Sequence, residues 1–180
     1  MIHKWKFISR KSLLDHPRMK IVEDIIELPN GNKTTYIREA PYSRQSVTII
    51  AVNKKDQILL QREYSYPPDE VMYQLPGGGI EKNEDIIAAA NRELSEESGY
   101  VSKTLKLVGS FHTNNRRSDS KQYVVVARNL ESHKLPEDEE EFIENIWVTR
   151  GQLKELVRSG EITNINLLAA LQLFDSINDL

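Results

Sequence analysis

The hydrophobic pattern divides the chain into two parts. In the first forty residues, strand-like stretches at 4–9, 19–27 and 33–38 are separated by polar residues. The turn at 29–32 is Pro-Asn-Gly-Asn, and an Asn-Gly pair between two such stretches is typical of a tight hairpin. This segment therefore predicts a small β appendage.

The second part begins near residue 46 and mixes strand-like and helix-like patterns. Apolar runs at 46–52 and 57–64 flank a polar turn and predict a second hairpin. Further short strands are predicted at 73–75, 105–112, 123–127 and 145–148.

A helix is predicted after the run of glycines at 77–79. Asn83 is a plausible N-cap, Glu84 and Asp85 would then lie in the first turn, and Gly99 is a suitable residue just past the end. The apolar stripe of this helix is formed by Ile87, Ala90 and Leu94.

Two more helices are predicted near the C-terminus. Thr149 caps one that runs through Arg158, and Thr163 or Asn164 opens another that reaches about Phe174. Strands interleaved with helices indicate an α/β or α+β sandwich. We expect an N-terminal β region at 1–43 that serves in dimerisation, followed by one larger domain at 44–180.

Composition narrows the chemistry. The chain has 180 residues and no cysteine, which excludes disulfides, thiolate metal sites and cysteine nucleophiles. The N-terminus does not resemble a secretory signal, so a cytoplasmic location is expected. The net charge of −3 does not suggest a nucleic-acid or membrane binder.

The acidic residues are concentrated in two segments. Residues 81–97 hold six acids against two basic residues, and residues 131–144 hold seven against one. The rest of the chain therefore carries a net positive charge. This distribution suits a cation site beside an anionic substrate, although two solvated acidic faces would give the same count.

Three carboxylates share one face of the first predicted helix. Glu93, Glu96 and Glu97 are spaced i, i+3 and i+4, so they repel one another unless a cation lies between them. Hard divalent cations such as Mg²⁺ or Mn²⁺ prefer this kind of oxygen cluster. Arg92 can hold one carboxylate by a bidentate pair, and the preceding glycines let backbone approach a ligand.

The spacing of these residues resembles a known motif. Gly78, Glu84, Arg92-Glu93-Leu94, Glu96-Glu97 and Gly99 fit the pattern G-x5-E-x7-R-E-U-x-E-E-x-G-U, the Nudix box, where U is a bulky aliphatic residue. Tyr100 in the last aliphatic slot is the one departure. The resemblance implies a Nudix-type α/β/α sandwich with a mixed sheet, plus the small N-terminal β appendage.

Other segments resemble one branch of the Nudix family, the ADP-ribose and nucleoside-diphosphate-sugar pyrophosphatases. The likeness lies in the β-rich N-terminus and in the sequences QREYSYP and YQLPGGGIE. It implies hydrolysis of the pyrophosphate bond of a nucleoside diphosphate linked to another group, giving a nucleoside monophosphate and a sugar phosphate. It also implies a homodimer formed through the N-terminal strands.

The resemblance assigns roles to the residues of the box. It implies that Mg²⁺, or Mn²⁺ in its place, is bound by Glu93, Glu97, the accessory Glu96 and the backbone carbonyl of Gly77. Glu84 would orient Arg92. In this branch the base that activates water often comes from a later acidic loop, which implies Glu139 as base and Glu141 as a further metal ligand. Glu137, Glu140 and Glu141 stay open as alternatives for the base.

Substrate contacts are assigned more loosely. Arg44, Arg62 and Arg116 are candidates for phosphate or ribose, and Trp5 and Tyr64 for stacking on the base. For each one alone, an ordinary surface or packing role is the simpler interpretation.

Two departures from the branch affect specificity. Tyr64-Ser65-Tyr66-Pro67 lacks the arginine common in the branch, and residues 111–119 have two arginines where a Ser-Pro-Gly turn is usual. Nucleoside triphosphates, dinucleoside polyphosphates or capped RNA therefore stay open as substrates. A non-catalytic nucleotide-binding regulator is a third alternative.

Overall fold

The computed structural model describes residues 2–40, 45–133 and 142–178. These residues form two compact units. One comprises the described N-terminal residues through Ala40 together with His112–Ser120, and the other comprises Gln45–Phe111 and the described residues from Lys121 onward. The segment 112–120 thus groups with the N-terminal strands, whereas the sequence analysis placed it inside the larger domain. No helix of the described residues is long and apolar enough to cross a membrane.

The N-terminal unit is a three-stranded antiparallel sheet. Its strands are β1 (Lys6–His16), β2 (Met19–Glu27) and β3 (Lys33–Glu39), in that spatial order. The first strand is longer than the stretch 4–9 expected from the sequence. Polar residues at 10–12 interrupt the apolar pattern there, but pairing with β2 continues through them.

A buried carboxylate lies at the centre of this sheet. Asp24 on β2 is only 4 % exposed and accepts hydrogen bonds from Nη2 of Arg10 at 2.9 Å and from Nε of Arg38 at 2.8 Å. These two guanidinium groups, Arg10 above all, hold the pKa of Asp24 below its ordinary value. The pair joins all three strands, since Arg10 lies on β1 and Arg38 on β3.

Many large apolar side chains of the N-terminal unit are exposed. Only Val22 and Ile26 of its apolar residues are buried among those described. The exposed ones are Ile2, Trp5, Phe7, Ile8, Leu13, Leu14, Met19, Ile25 and Ile37. This number of exposed large apolar side chains in one small unit is greater than the few scattered ones on an ordinary protein surface.

The described residues of the larger unit form two three-stranded sheets and three helices. One sheet has the order β4-β8-β7, formed by Gln45–Ala51, Lys121–Ser132 and Tyr100–His112. The other has the order β6-β5-β9, formed by Glu70–Gln74, Ile58–Ser65 and Glu144–Val148.

The predicted hairpin of residues 46–64 is wrong. β4 pairs in parallel with β8, and β5 pairs antiparallel with β6 and β9, so the two apolar runs lie in different sheets. A single bridge between Val52 and Ile58 is their only pairing among the described residues. Both runs are buried on two faces, and local sequence does not specify which partner such a strand takes.

Both faces of β4 are covered, which makes the unit a three-layer structure. Val47, Ile49 and Ala51 pack with α1 (Ile86–Ser98) in one core cluster. Ile50, on the opposite face, packs with α2 (Arg150–Arg158) and α3 (Ile165–Asn178) in a second cluster. This arrangement confirms the predicted α/β/α sandwich.

The helix ends follow the sequence at most points. As predicted, Gly99 ends α1, in a left-handed conformation with φ of 69°, and Thr149 caps α2. The structure adds that Thr149 forms a capping box with Gln152. Asn164 caps α3, since its Oδ1 accepts the N–H groups of residues 166 and 167.

The predicted N-cap of α1 is wrong. Asp85, not Asn83, caps the helix by accepting the N–H groups of Ile87 and Ala88. Asn83 instead has a φ of 67° within the preceding turn. Glu84 therefore precedes the helix and is free to turn back toward its second turn.

The glycine loop before α1 is bonded to the edge of β4 that does not pair with β8. The N–H of Val47 donates to the carbonyl of Gly78 at 2.9 Å, and the N–H of Ile49 donates to that of Pro76 at 2.8 Å. A Cβ at Gly77 would overlap the carbonyl oxygen of Val47, so only glycine permits this close approach. β4, an edge strand of its sheet, thereby fixes the position of the loop.

Candidate active site

Arg92 connects the glycine loop to the acidic face of α1. Its Nε and Nη2 each donate to one carboxylate oxygen of Glu84 at 2.9 Å. Nη2 also donates to the carbonyl of Gly79 at 2.9 Å, while Nη1 donates to Glu93 at 2.8 Å and to Glu96 at 3.0 Å. One guanidinium thus joins three carboxylates and one backbone carbonyl.

Glu84 is held as a carboxylate. Besides the bidentate pair with Arg92, its Oε2 accepts the N–H of Glu81 at 2.8 Å. These hydrogen bonds, first of all those from Arg92, lower the pKa of Glu84 to about 2. Glu84 therefore stays ionised at any ordinary pH and can accept the hydrogen bonds of Arg92.

Glu93 lies directly against Gly78. A Cβ added to Gly78 would overlap the carboxyl group of Glu93, so a residue with any side chain there would displace it. The Glu93 side chain is only 12 % exposed. Its burial raises the pKa of its carboxyl group, and the hydrogen bond from Arg92 opposes this.

Glu97, also on α1, contacts the loop one residue before Gly78. Its Oε2 accepts the backbone N–H of Gly77 at 2.8 Å. The backbone carbonyl of Glu97 is also held, by Nδ2 of Asn145 at 3.0 Å and Nε2 of Gln61 at 3.4 Å. Both the side chain and the main chain of Glu97 are therefore fixed to neighbouring elements.

The donor set at this loop fits a hard divalent cation. Two carboxylates, Glu93 and Glu97, flank Gly77 and Gly78, and oxygen ligands of this kind suit Mg²⁺ or Mn²⁺. Glu96 is more exposed and is paired with Arg92. The residues that the structure describes include no group of three or more His, Asp or Glu side chains close enough to hold a metal ion by themselves.

A comparison with protein families identifies the family of this chain. The profile of the NUDIX domain matches residues 42–171. The chain belongs to the Nudix family. Nudix hydrolases generally need a divalent metal ion, in agreement with the carboxylates of α1.

Several proteins resemble this Nudix chain over most of its length. An ADP-ribose pyrophosphatase of Bacillus subtilis (strain 168) is 29 % identical over 169 residues, 93 % of this chain and 90 % of that protein. A methanol dehydrogenase activator of Bacillus methanolicus is 28 % identical over the same shares. The crystal structure of an ADP compounds hydrolase superposes with a TM-score of 0.90, covering 98 % of this chain and 95 % of that one at 24 % identity.

Two of the predicted substrate-binding residues lie on β5 of the Nudix unit. Arg62 donates from Nη1 to Glu144 at 2.8 Å and lies 5.7 Å from the ring centre of Tyr73. Tyr64 is half-exposed, and its hydroxyl donates to Asp69 at 2.8 Å. Each has a local partner, and its role in substrate binding stays a prediction.

Two others belong to the N-terminal unit, where Tyr36 brings them together. The ring of Trp5 packs edge-on against Tyr36 at 6.1 Å between centroids. The hydroxyl of Tyr36 donates to the carbonyl of Arg116 at 2.6 Å. Sequence reasoning missed Tyr36, because its partner lies 80 residues away along the chain.

Five candidate residues lie outside the described residues. They are Arg44 for substrate binding, Glu139 as the base with Glu137 and Glu140 as its alternatives, and Glu141 as a metal ligand. Their roles stay predictions.

Gln61 and Asn145 are functional candidates that sequence reasoning missed. Gln61 has no exposed surface. Burial of a glutamine side chain is unfavourable unless its amide group is hydrogen-bonded. Gln61 ends the apolar run of residues 58–60, and this interruption was the available signal. Its amide nitrogen also contacts Oδ1 of Asn145 at 3.3 Å, so the two amides hold the end of α1 together.

Proposed function

We propose that this Nudix protein hydrolyses the pyrophosphate bond of ADP-ribose or of a nucleotide sugar, releasing a nucleoside monophosphate and a sugar phosphate. The observation that carries the proposal is the placement of Glu93 and Glu97 on either side of the Gly77–Gly78 loop, with Arg92 and Glu84 holding the first of them. The similarity to an ADP-ribose pyrophosphatase over 93 % of the chain supports the substrate class.

Glu93, Glu97, Glu96 and the carbonyl of Gly77 are the proposed ligands of Mg²⁺, with Mn²⁺ as the alternative. The cation supplies neutralisation of the pyrophosphate charge and a lowered pKa for the attacking water. Arg92 orients Glu93, and Glu84 orients Arg92. Their hydrogen bonds keep the carboxylates in place before substrate arrives, so little reorganisation is needed.

The proposed base is Glu139, with Glu137, Glu140 and Glu141 as alternatives and Glu141 as a further metal ligand. A carboxylate suits this task because it takes the proton from the attacking water. The support is the acidic sequence at 137–141 and its place just before β9.

The proposed substrate contacts are Arg44, Arg62 and Arg116 to phosphate or ribose, and Trp5 and Tyr64 to the base. Exposed rings support the second assignment, since Trp5 is 52 % and Tyr64 51 % exposed. Arg62 would have to exchange Glu144 for the substrate.

We also propose a homodimer formed through the N-terminal strands. The exposed apolar residues of β1, such as Phe7 and Leu14, support it, because a second copy would remove them from water. The cytoplasmic location expected from the sequence stays a prediction.

The alternatives are a Nudix enzyme with another substrate and a regulator without catalysis. The similarity to a methanol dehydrogenase activator supports the second alternative, a regulatory role. Against a purely non-catalytic module, the clustered carboxylates of α1 would repel one another without serving a reaction.

One experiment separates these functions. The purified protein is incubated with ADP-ribose, several nucleotide sugars, nucleoside triphosphates, diadenosine polyphosphates and capped RNA, each with Mg²⁺, with Mn²⁺ and with chelator. Products are identified by chromatography and mass spectrometry. Metal-dependent release of a nucleoside monophosphate and a sugar phosphate supports the proposal, whereas turnover of triphosphates alone, or of no compound, contradicts it.

A further inference from the structure

A buried glutamine lies against the C-terminal end of α1. Gln61 is on β5 and has no exposed surface. Side chains alternate between the two faces of a strand, so Gln61 shares its face with Leu59, which packs with α1 in an apolar core cluster. An apolar side chain at position 61 would continue this face. The presence of an amide there therefore requires a physical reason.

The amide nitrogen of Gln61 has two acceptors. Nε2 donates to the backbone carbonyl of Glu97 at 3.4 Å and to Oδ1 of Asn145 at 3.3 Å. Because both partners are acceptors, the nitrogen of the Gln61 amide must face them, and not its oxygen. Both distances are long for hydrogen bonds, so their contribution to the free energy of unfolding is small.

The amide oxygen of Gln61 has no partner. Oε1 is buried and accepts no hydrogen bond from any residue that the structure describes. A buried acceptor without a donor is unfavourable to an extent that weak hydrogen bonds do not offset. Stability therefore does not account for the amide at this position. Residues that break the rules of stable packing are expected at functional sites.

Asn145 connects Gln61 to α1. It lies directly opposite Gln61 in the antiparallel pairing of β5 with β9, so the two side chains share a face of the sheet. Because Oδ1 of Asn145 accepts from Gln61, its Nδ2 is directed to the carbonyl of Glu97, which it reaches at 3.0 Å. Asn145 is itself exposed, so without Gln61 its amide group would be able to turn toward water.

Both amides act on a carbonyl that has no partner within the helix. The last four carbonyls of an α-helix have no intrahelical N–H donor, and Glu97 is the penultimate residue of α1. The side chain of Glu97 accepts the N–H of Gly77 at 2.8 Å. A shift of the main chain at Glu97 would therefore move its carboxylate relative to the glycine loop.

From these observations we propose that Gln61 is a positioning residue of the proposed metal centre, that it acts with Asn145 on the main chain of Glu97, and that it lowers the stability of the protein. The inference rests on the proposed function, because it treats Glu97 as a metal ligand. It differs from ordinary helix capping, since a capping group stabilises the protein that contains it.

Two matched substitutions distinguish positioning from capping. Gln61→Met replaces the amide with an unbranched apolar side chain that adapts to the same space. Gln57→Met makes the same change four residues earlier in the chain. There Oε1 accepts Nδ2 of Asn53 at 3.0 Å, so this control removes an amide oxygen that has a partner.

The first measurement is thermal unfolding. We expect Gln61→Met to unfold at the wild-type Tm or up to about 4 °C above it, because the unpaired acceptor is gone. Gln57→Met should unfold below the wild-type Tm, because a paired amide is lost. A lower Tm in Gln61→Met than in the wild type would make Gln61 an ordinary stabilising residue and would overturn the inference.

The second measurement follows the position of Glu97 without metal or substrate. The amide proton of Gly77 is donated to the Glu97 carboxylate, so its NMR resonance and its exchange with deuterium report this contact. In Gln61→Met the resonance should shift and exchange should be at least about three-fold faster than in the wild type and in Gln57→Met. An unchanged Gly77 amide in folded Gln61→Met would overturn the inference, whether or not the protein is an enzyme.

The third measurement is calorimetric titration with Mn²⁺, together with turnover of ADP-ribose. Loss of an outer-shell partner lowers metal affinity or activity by about 10- to 100-fold, so Gln61→Met should bind Mn²⁺ about ten-fold more weakly and have a correspondingly lower kcat at limiting Mn²⁺. Gln57→Met should match the wild type in both. A wild-type Mn²⁺ affinity in Gln61→Met would overturn the inference. A wild-type protein that neither binds Mn²⁺ nor cleaves a nucleotide contradicts the proposed function instead, and the first two measurements still decide the role of Gln61.

Discussion

Gly78 and the carboxyl group of Glu93 touch so closely that even one methyl group cannot be placed between them. At the next glycine, Gly79, no atom of the described residues lies within 4 Å of the corresponding position. Neither residue has a positive φ, so alanine strains the backbone at neither position. This contrast makes the two glycines a matched pair for testing the placement of Glu93.

We expect Gly78→Ala to lower kcat/KM by about 100-fold, because a displacement of roughly 1 Å at a reacting group can have that effect. Gly79→Ala should retain nearly full activity. Steady-state kinetics on ADP-ribose with Mg²⁺ measure both. Equal activity of the two variants would show that the position of Glu93 against Gly78 is unimportant.

Glu97→Gln should reduce metal-dependent activity by at least about 100-fold while the protein stays folded. Even an outer-shell partner of a metal is worth 10- to 100-fold, and an amide cannot balance the charge of a cation. The amide oxygen can still accept the N–H of Gly77, so the loop should keep its place. Thermal unfolding checks the fold, and Glu155→Gln on α2 is a control. Unchanged turnover in Glu97→Gln would remove α1 from the active site.

The pairing of Glu84 with Arg92 predicts a pH-dependent stability. The pKa of Glu84 is about 2 in the folded protein, below its ordinary value of 4.5. Its contribution to the free energy of unfolding is therefore complete above pH 4.5 and is lost as the pH falls through about 2. Glu84→Gln should lower the Tm at pH 7 and approach the wild-type Tm as the pH falls below 4. A Tm difference that is the same at pH 7 and pH 3 would contradict this.

Replacing the proposed base tests the acidic sequence before β9. Glu139→Gln should lower kcat by roughly 10²–10⁴ with little change in KM, which is the usual value of a general base. If Glu139→Gln is normal and Glu137→Gln, Glu140→Gln or Glu141→Gln is inactive, the role belongs to that neighbour. If all four are normal, the base lies elsewhere.

The exposed apolar side chains of β1 predict a dimer that charge can separate. We expect the wild type to sediment as a dimer at micromolar concentration, and the double variant Phe7→Glu, Leu14→Glu to sediment as a monomer with weaker substrate binding. Ser12→Glu adds a charge to the same strand without removing an apolar group, and it should stay dimeric. A wild-type protein that is monomeric and fully active would contradict the proposed dimer.

The sequence was most informative where local chemistry determines structure. Gly99 ends α1 because a left-handed residue follows the helix, and Thr149 begins α2 through a capping box, and both can be read from a few neighbouring residues. The pairing of Arg92 with Glu84, eight residues apart, was implied by the resemblance to the Nudix box. In each case the partners lie close together along the chain.

It was least informative where partners are distant. β4 pairs with β8, more than seventy residues later, and nothing in the apolar run of β4 names that partner. The same holds for Asn166 and Gln122, which share a cavity although forty-odd residues separate them. The N-cap of α1 was mispredicted over a short distance, because Asn83 and Asp85 are both favourable N-cap residues. In the structure Asn83 lies in the preceding turn, and Asp85 caps the helix.

The bonding of the glycine loop to β4 provides an isotope-exchange reporter. The amide protons of Val47 and Ile49 are both donated to loop carbonyls, and both residues have no exposed side-chain surface. Their exchange with deuterium therefore records opening of the loop, whereas amides within the helices record fraying or global unfolding. Slower exchange at these two amides on addition of metal or nucleotide would measure how far the ligand stabilises the closed loop. This measurement does not require catalytic turnover of a substrate.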